Sequence, residues 1–143
     1  MKIFITGVAG FLGSHLAERM LSIGHEVLGN DNLIGGDLEN VNKKIKFFKT
    51  DCNDLEGMVK ITKDCDIVYH CAATAHEGLS VFSPHVITNN IFQASVSVIT
   101  ASIKNKVKRF VYCSSMARYG NQKPPFTEEM HPAPVDPYGV AKV

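Results

Sequence analysis

Thr6-Gly7-Val8-Ala9-Gly10-Phe11-Leu12-Gly13 is the stretch whose reading decides the fold of this chain. It follows the apolar run Ile3-Phe4-Ile5 and precedes an amphipathic stretch, so a glycine-rich turn joins a strand to a helix. The spacing G-x-x-G-x-x-G removes the Cβ at three points. These serve a tight turn, close backbone approach to a pyrophosphate, and close packing of helix on strand. The N–H groups of Phe11 and Leu12, in the first helical turn, lack partners within the helix and face an anion. Glycines also punctuate ordinary turns. The triplet takes its meaning from the strand before it, the helix after it and an acid about 20 residues further on. That acid is Asp31, at the end of the second apolar run. A carboxylate there accepts hydrogen bonds from ribose hydroxyls and repels a 2′-phosphate. No Lys or Arg lies between Gly29 and Glu39 to neutralise such a phosphate, so NAD is preferred over NADP. The plain alternative for Asp31 is a solvated turn residue.

Outward from this loop, short apolar runs alternate with longer helical patterns, the signature of βαβ units and a parallel sheet. The pattern predicts strands over 2–6, 26–30, 45–50, 66–71 and 109–114. Helices are expected over 11–23, stopped by Gly24, over a short segment capped by Asp54 and ending at Ile61, and over 84–105 from Pro84. In the first helix Phe11, Leu12, Leu16, Met20, Leu21 and Ile23 fall largely on one face. Residues 120–137 read as loop. The fold class is α/β, a doubly wound, mostly parallel sheet of the Rossmann type, in one domain over residues 1–143. A six- or seven-stranded sheet would need a further helix and strand. The chain is therefore expected to be C-terminally truncated, lacking a substrate-binding region.

Composition removes several classes. Charged residues make up 20% and the net charge is +1, with no large cluster of either sign, so neither nucleic acid nor a membrane surface is an expected partner. The basic run from Lys104 to Arg109 suits a helix C-terminus. No uninterrupted apolar run approaches the roughly 18 residues of a membrane span. The chain opens directly on strand residues, so no signal peptide is expected. The four cysteines show no C-x-x-C pairing and read as reduced thiols of a cytoplasmic protein. His76, His85 and His131 match no metal-ligand spacing, no metal is expected, and His15 is expected to be packed.

Tyr138 and Lys142 stand four apart and share one face of a short helix. A phenol, with an ordinary pKa of about 10, is a poor base at neutral pH, and a nearby ammonium favours its phenolate. Cys113-Ser114-Ser115 ends the fifth strand, at the carboxyl edge where open α/β sheets bind ligands. A serine there can hydrogen-bond the substrate oxygen that Tyr138 deprotonates. Y-x-x-x-K by itself is common by chance on helix surfaces.

Together these motifs resemble the extended short-chain dehydrogenase/reductase family, in its NAD-dependent nucleotide-sugar epimerase/dehydratase branch. The resemblance spans the chain. It includes Thr-Gly-x-x-Gly-Phe-Leu-Gly at 6–13, Asp31-Asn32-Leu33, Asp51-Cys52, His70-Cys71-Ala72-Ala73, Asn90-Ile91, Ser114-Ser115 with Tyr119-Gly120, and Pro137-Tyr138 through Lys142. It implies Ser115, Tyr138 and Lys142 as the catalytic triad and Gly7, Gly10 and Gly13, with Phe11 and Leu12, as the pyrophosphate loop. It further implies Asp31 and Asn32 as the ribose contact, with Asp51 and Cys52 flanking adenine. Cys71, Ala72 and Ala73 would line the path to the nicotinamide ribose, with Asn90 and Cys113 near that end. Cys71 and Cys113 also read as small buried strand residues.

The implied reaction is epimerisation of a nucleotide sugar, most simply a UDP-sugar, through a transient 4-keto intermediate, with Tyr138 as acid and base. Dehydratases of the family place Asp-Glu directly after the serine or threonine, and decarboxylases a glutamate two places on. Here Met116 and Ala117 stand instead, which leaves 4-epimerase or simple oxidoreductase chemistry. Arg118 reads either as a contact for a substrate phosphate or carboxylate or as a solvated loop residue. The resemblance also implies a homodimer through the long helices and a full enzyme of about 300 residues. Two alternatives remain: a carbonyl or hydroxysteroid-type oxidoreductase using NAD or NADP, and a truncated, non-catalytic NAD-binding module.

Overall fold

The structure is a computed structural model that describes residues 1–143. Its strands are β1 (Lys2–Thr6), β2 (Glu26–Asp31), β3 (Lys46–Lys49), β4 (Ile67–His70) and β5 (Arg109–Tyr112). They form one sheet in the order β3-β2-β1-β4-β5 with every pairing parallel. The first two helices are α1 (Phe11–Ser22) and α2 (Leu55–Ile61). A longer helical run follows, made of α3 (Pro84–Ile87), a π turn (Thr88–Gln93) and α4 (Ala94–Lys104).

Contacts gather into two compact units: Met1–Ala73 with Ala94–Cys113, and Thr74–Gln93 with Ser114–Val143. The first unit holds the whole sheet. β1 lies at its centre because both its faces are apolar. Ile3, Ile5 and Val27 share one core with Val8, Ala17 and Ile45, covered by Leu16, Met20 and Leu21 of α1. Phe4, Leu28 and Val68, which point the other way, share a second core with Met58 of α2 and Ala94, Val98 and Ala101 of α4. Asp54 caps α2 by accepting the Gly57 N–H at 3.0 Å. Asn105 closes the α4 end by donating to the Val59 carbonyl at 2.8 Å and to Thr62 Oγ1 at 2.9 Å.

The second unit is built from single turns around a short last helix, α5 (Pro137–Lys142). Asp136 caps α5 by accepting the Gly139 N–H at 2.8 Å, and Ser80 Oγ, fully buried, donates to the same carboxylate at 3.2 Å. Tyr119 stacks on Phe126, ring centroids 4.9 Å apart. Gln122 Nε2 donates to the Tyr119 and His131 carbonyls, so the loop after residue 120 is tied back on itself.

Four expectations need correction. β3, β4 and β5 are shorter than the apolar runs suggested, with Ile45, Thr50, Asp66, Cys71, Cys113 and Ser114 outside the strands, while β2 extends to Asp31. Phe11 and Leu12 of α1 and Ile23 just after it are exposed (83%, 54% and 48%); Gly13, Ser14 and Ala17 are buried instead. Small residues bring the helix axis close to the sheet and leave the larger side chains at its start outside. His15 is likewise exposed, its ring 4.7 Å from that of Phe11. The helix expected over 84–105 runs from Pro84 to Lys104 and contains the π turn; by length and composition alone its 21 residues are long and apolar enough to cross a membrane. Polar residues spread along it break every long apolar run in the sequence. Ala94, Ser95, Ser97, Val98, Ala101 and Ser102 of α4 are buried, the pattern of a core helix.

Candidate functional site

The C-terminal edge of a parallel sheet is where its loops converge, and the strand order reverses between β1's neighbours β2 and β4. Just beyond β1, Gly7 has φ +67°, and a Cβ on it would stand 2.9 Å from the backbone of Ala72. A side chain at Gly13 would run into the Gly7 carbonyl. Both positions therefore require glycine, for a close backbone approach rather than for flexibility. The loop is held from below by the side chain before it. Thr6 Oγ1 accepts the Ala72 N–H at 3.0 Å and lies 2.7 Å from His70 Nδ1, while His70 Nε2 lies 3.0 Å from Ser95 Oγ. All three side chains are buried. The sequence reading treated Thr6 and His70 as motif letters and missed this chain. Its signal was two polar residues in otherwise apolar strands.

Asp31 is 8% exposed and anchors the other flank of the loop. Its Oδ2 accepts the Ala9 N–H at 3.2 Å and its Oδ1 the Leu33 N–H at 2.8 Å. Leu33 adopts φ +66° to make that turn. A carboxylate offers about four acceptor sites, so two remain after these bonds. Asn32 Nδ2 donates to Asp51 Oδ2 at 2.8 Å, and Asp51 Oδ1 accepts the Asn53 N–H at 2.8 Å. Burial pushes the Asp51 carboxyl up, but hydrogen bonds from Asn32 and Asn53 outweigh it and hold its pKa below the ordinary value. Cys52 is buried next to it, its thiol pushed up to about 11 by burial, and accepts from Asn30 Nδ2 at 3.4 Å. Cys71 and Cys113 lie with their sulfurs 3.6 Å apart. In the first unit, then, Gly7, Gly10, Phe11, Leu12 and Gly13, Asp31 and Asn32, Asp51 and Cys52, and Cys71 to Ala73 with Cys113 lie along the strand ends.

The remaining predicted residues lie in the second unit. Asn90 is in the π turn and donates to Thr74 Oγ1 at 3.1 Å. Ser115 caps the turn Met116–Tyr119, its Oγ accepting the Ala117 N–H at 3.2 Å. Ser114 Oγ donates to the Lys142 carbonyl at 2.7 Å, which fastens the serine pair to the end of α5. Tyr138 is half-buried, and Lys142 is 3% exposed. A cavity of about 550 Å³ in this unit, lined by Phe92, Val135 and Val140 among others, includes none of Ser115, Tyr138 and Lys142. His76, His85 and His131 are exposed, and no group of acidic, His or Cys residues has the geometry of a metal site.

The profile of the NAD dependent epimerase/dehydratase family matches residues 3–143. The chain belongs to that family. The UDP-glucose 4-epimerase of Lactobacillus helveticus is 35% identical over 100% of this chain and 44% of its own. A UDP-glucose 4-epimerase of Thermotoga maritima, solved with UDP-glucose, superposes with a TM-score of 0.95 at 35% identity, over 99% of this chain and 48% of that one. The Thermus thermophilus enzyme, solved with NAD, gives 0.93 at 32%, over 99% and 47%. The chain thus spans less than half the length of these relatives.

NAD is the cofactor of the epimerase/dehydratase family, and the residues present fit it. No side chain caps the start of α1 and no acid lies in its first turn, which leaves the first N–H groups to a phosphate. Gly7 and Gly13 keep side chains out of the cradle. Asp31 stands one strand away with acceptor capacity to spare, and Asp51 with Asn32 continues the edge.

Two outcomes follow from this geometry. Thr6→Val leaves the Ala72 N–H without its acceptor and is expected to cost about 1–3 kcal/mol in urea unfolding and to weaken NAD binding, whereas Thr6→Ser restores both. Equal behaviour of the Val and Ser variants would show that the hydroxyl is not the anchor. Because the folded Asp51 value lies below the ordinary 3.8, its contribution to stability is complete above 3.8 and is lost as pH falls through the lower folded value. Asn32→Ala is expected to flatten that acid dependence, read from chemical unfolding at a series of pH values. An unchanged slope would count against the Asn32 hydrogen bond as its source.

Proposed function

We propose that this chain is the NAD-binding and proton-transferring part of a nucleotide-sugar 4-epimerase acting on a UDP-sugar. The observation that carries the reading is a family match over residues 3–143; the sequence resemblance adds Ser115, Tyr138 and Lys142 as the residues of its motif. The named relatives are UDP-glucose and UDP-arabinose 4-epimerases, which favours a sugar nucleotide over a steroid or simple carbonyl substrate. When bound, NAD supplies a reversible two-electron acceptor for the sugar carbon.

The proton work falls to the chain's own side chains. Tyr138 takes the proton of the reacting hydroxyl, leaving a 4-keto sugar, and returns it when the carbon is reduced on its other face. Ser115 accepts the Ala117 N–H and keeps its own O–H as a donor for that same sugar oxygen. Lys142 supplies the positive charge of the pair, one helical turn on from Tyr138. Met116 and Ala117 carry no proton-transferring group, which suits epimerisation rather than loss of water. The reading includes a homodimer, supported by Val96, Ile99 and Ile103, three exposed apolar residues at helical spacing on α4.

In the protein that bears this chain, Tyr138→Phe is expected to slow the 4-epimerisation of UDP-glucose or UDP-arabinose by about 10²–10⁴-fold while NAD binding is retained. Undiminished turnover removes Tyr138 from the mechanism, and a wild-type protein that epimerises no UDP-sugar sinks the proposal. Sedimentation equilibrium is expected to show a dimer that Ile103→Glu weakens; a monomer at all concentrations rejects the dimer alone.

A further inference from the structure

We propose that Cys71 and Cys113 form an oxidation site: a hydroperoxide joins them in a disulfide that lowers the affinity of the chain for NAD, and a thiol reductant reverses it. The affinity half rests on the cofactor reading above; formation of the bond does not.

The two residues directly follow β4 and β5, whose register pairs His70 with Tyr112. The ladder extends one step further through the Cys113 N–H, which donates to the His70 carbonyl at 3.2 Å. Cys71 and Cys113 are thus lateral neighbours, with sulfurs 3.6 Å apart. Adjacent strands lie about 4.8 Å apart, inside the Cα separation of about 4.4–6.8 Å that a disulfide spans. Both residues are half-buried, within reach of a small oxidant. The other two cysteines offer a built-in contrast. Cys52 and Cys65 are 7% and 5% exposed, and burial pushes both thiols up to about 11, which leaves little thiolate to react.

The chemistry balances with the peroxide as oxidant. One thiolate attacks a peroxide oxygen, the O–O bond breaks, and a sulfenic acid forms as the displaced oxygen takes up a proton and leaves as water or an alcohol. The second sulfur attacks the sulfenic sulfur, the S–S bond forms, and the hydroxyl leaves as water with the second thiol's proton. Two electrons pass from the sulfur pair to the peroxide. The sulfurs must close from 3.6 Å to about 2.05 Å, and Cys71 is bonded to Ala72. The Ala72 backbone lies within 2.9 Å of the space a Gly7 Cβ would fill, and its N–H is the one Thr6 holds. Movement there is transmitted to the glycine turn.

The test treats the native chain with hydrogen peroxide, maps the bridge by mass spectrometry of peptides, and titrates NAD calorimetrically before oxidation, after it, and after dithiothreitol. Expected are one bridge, Cys71 to Cys113, a several-fold loss of affinity, and full recovery on reduction. Cys65→Ser keeps this response, and Cys113→Ser forms no intramolecular bridge. Absence of the bridge in the wild type, or a bridge that leaves affinity unchanged, overturns the proposal. A reduced chain that binds no NAD overturns the cofactor reading and the affinity half together, and mapping still reports the bond separately.

Discussion

The hydroxyl of Thr6 is the point on which the nucleotide-binding edge depends. A glycine turn has no side chain with which to hold itself, and Gly7 adopts a left-handed φ only 2.9 Å, measured from its missing Cβ, from the Ala72 backbone. Something must fix those two backbones without filling the gap between them. Thr6 does so from one residue away, accepting the Ala72 N–H while His70 braces it from inside the sheet. A neutral hydrogen bond contributes only about 1 kcal/mol net, but a buried N–H without a partner costs more than that. The network therefore serves geometry more than stability: alternatives to the observed turn leave polar groups unsatisfied.

The same economy governs the acidic flank. Asp31 is readable from sequence as a ribose ligand and selector against a 2′-phosphate, yet its two observed bonds go to the backbone of Ala9 and Leu33. A carboxylate can do both because its acceptor sites outnumber the bonds it makes within the fold. It shapes the loop that a cofactor's phosphates would meet while keeping oxygen lone pairs for hydroxyls. Asp51 repeats the device one strand further out, where Asn32 and Asn53 overcome the burial that would otherwise raise its pKa.

What was legible in the sequence follows from which forces are local. β1 is read to its true ends because five residues covered on both faces leave no other pattern, and the cap at Asp54 is a local bond. Phe11 and Leu12 misled as core residues because periodicity reports a face without saying how close the helix comes to the sheet. Gly13, Ser14 and Ala17 set that distance. The π turn was invisible because no single residue in Thr88–Gln93 announces an extra residue per turn. The polar chain from Thr6 to Ser95 was invisible for another reason: its members are 64 and 25 residues apart, and only the strand order brings them together. The family motif located Ser115, Tyr138 and Lys142 but gave no reason for Ser114, whose bond to the Lys142 carbonyl is found only in three dimensions.

That bond bears on how so short a helix is held. Six residues are too few for a helix to persist by its own hydrogen bonds. α5 is instead fixed at both ends by side chains: Asp136 accepts from Gly139 at its start, and Ser114 donates to Lys142 at its end. Ser80, fully buried, orients the first of these caps. Tyr138 and Lys142 therefore inherit their placement from the residues that hold the two ends of the helix. Ser115 acts in the same way one turn along, accepting the Ala117 N–H and so capping the turn Met116–Tyr119. In this unit the side-chain bonds that order the chain also set where Tyr138 and Lys142 stand, so a substitution at Asp136 or Ser114 disturbs both through their supports.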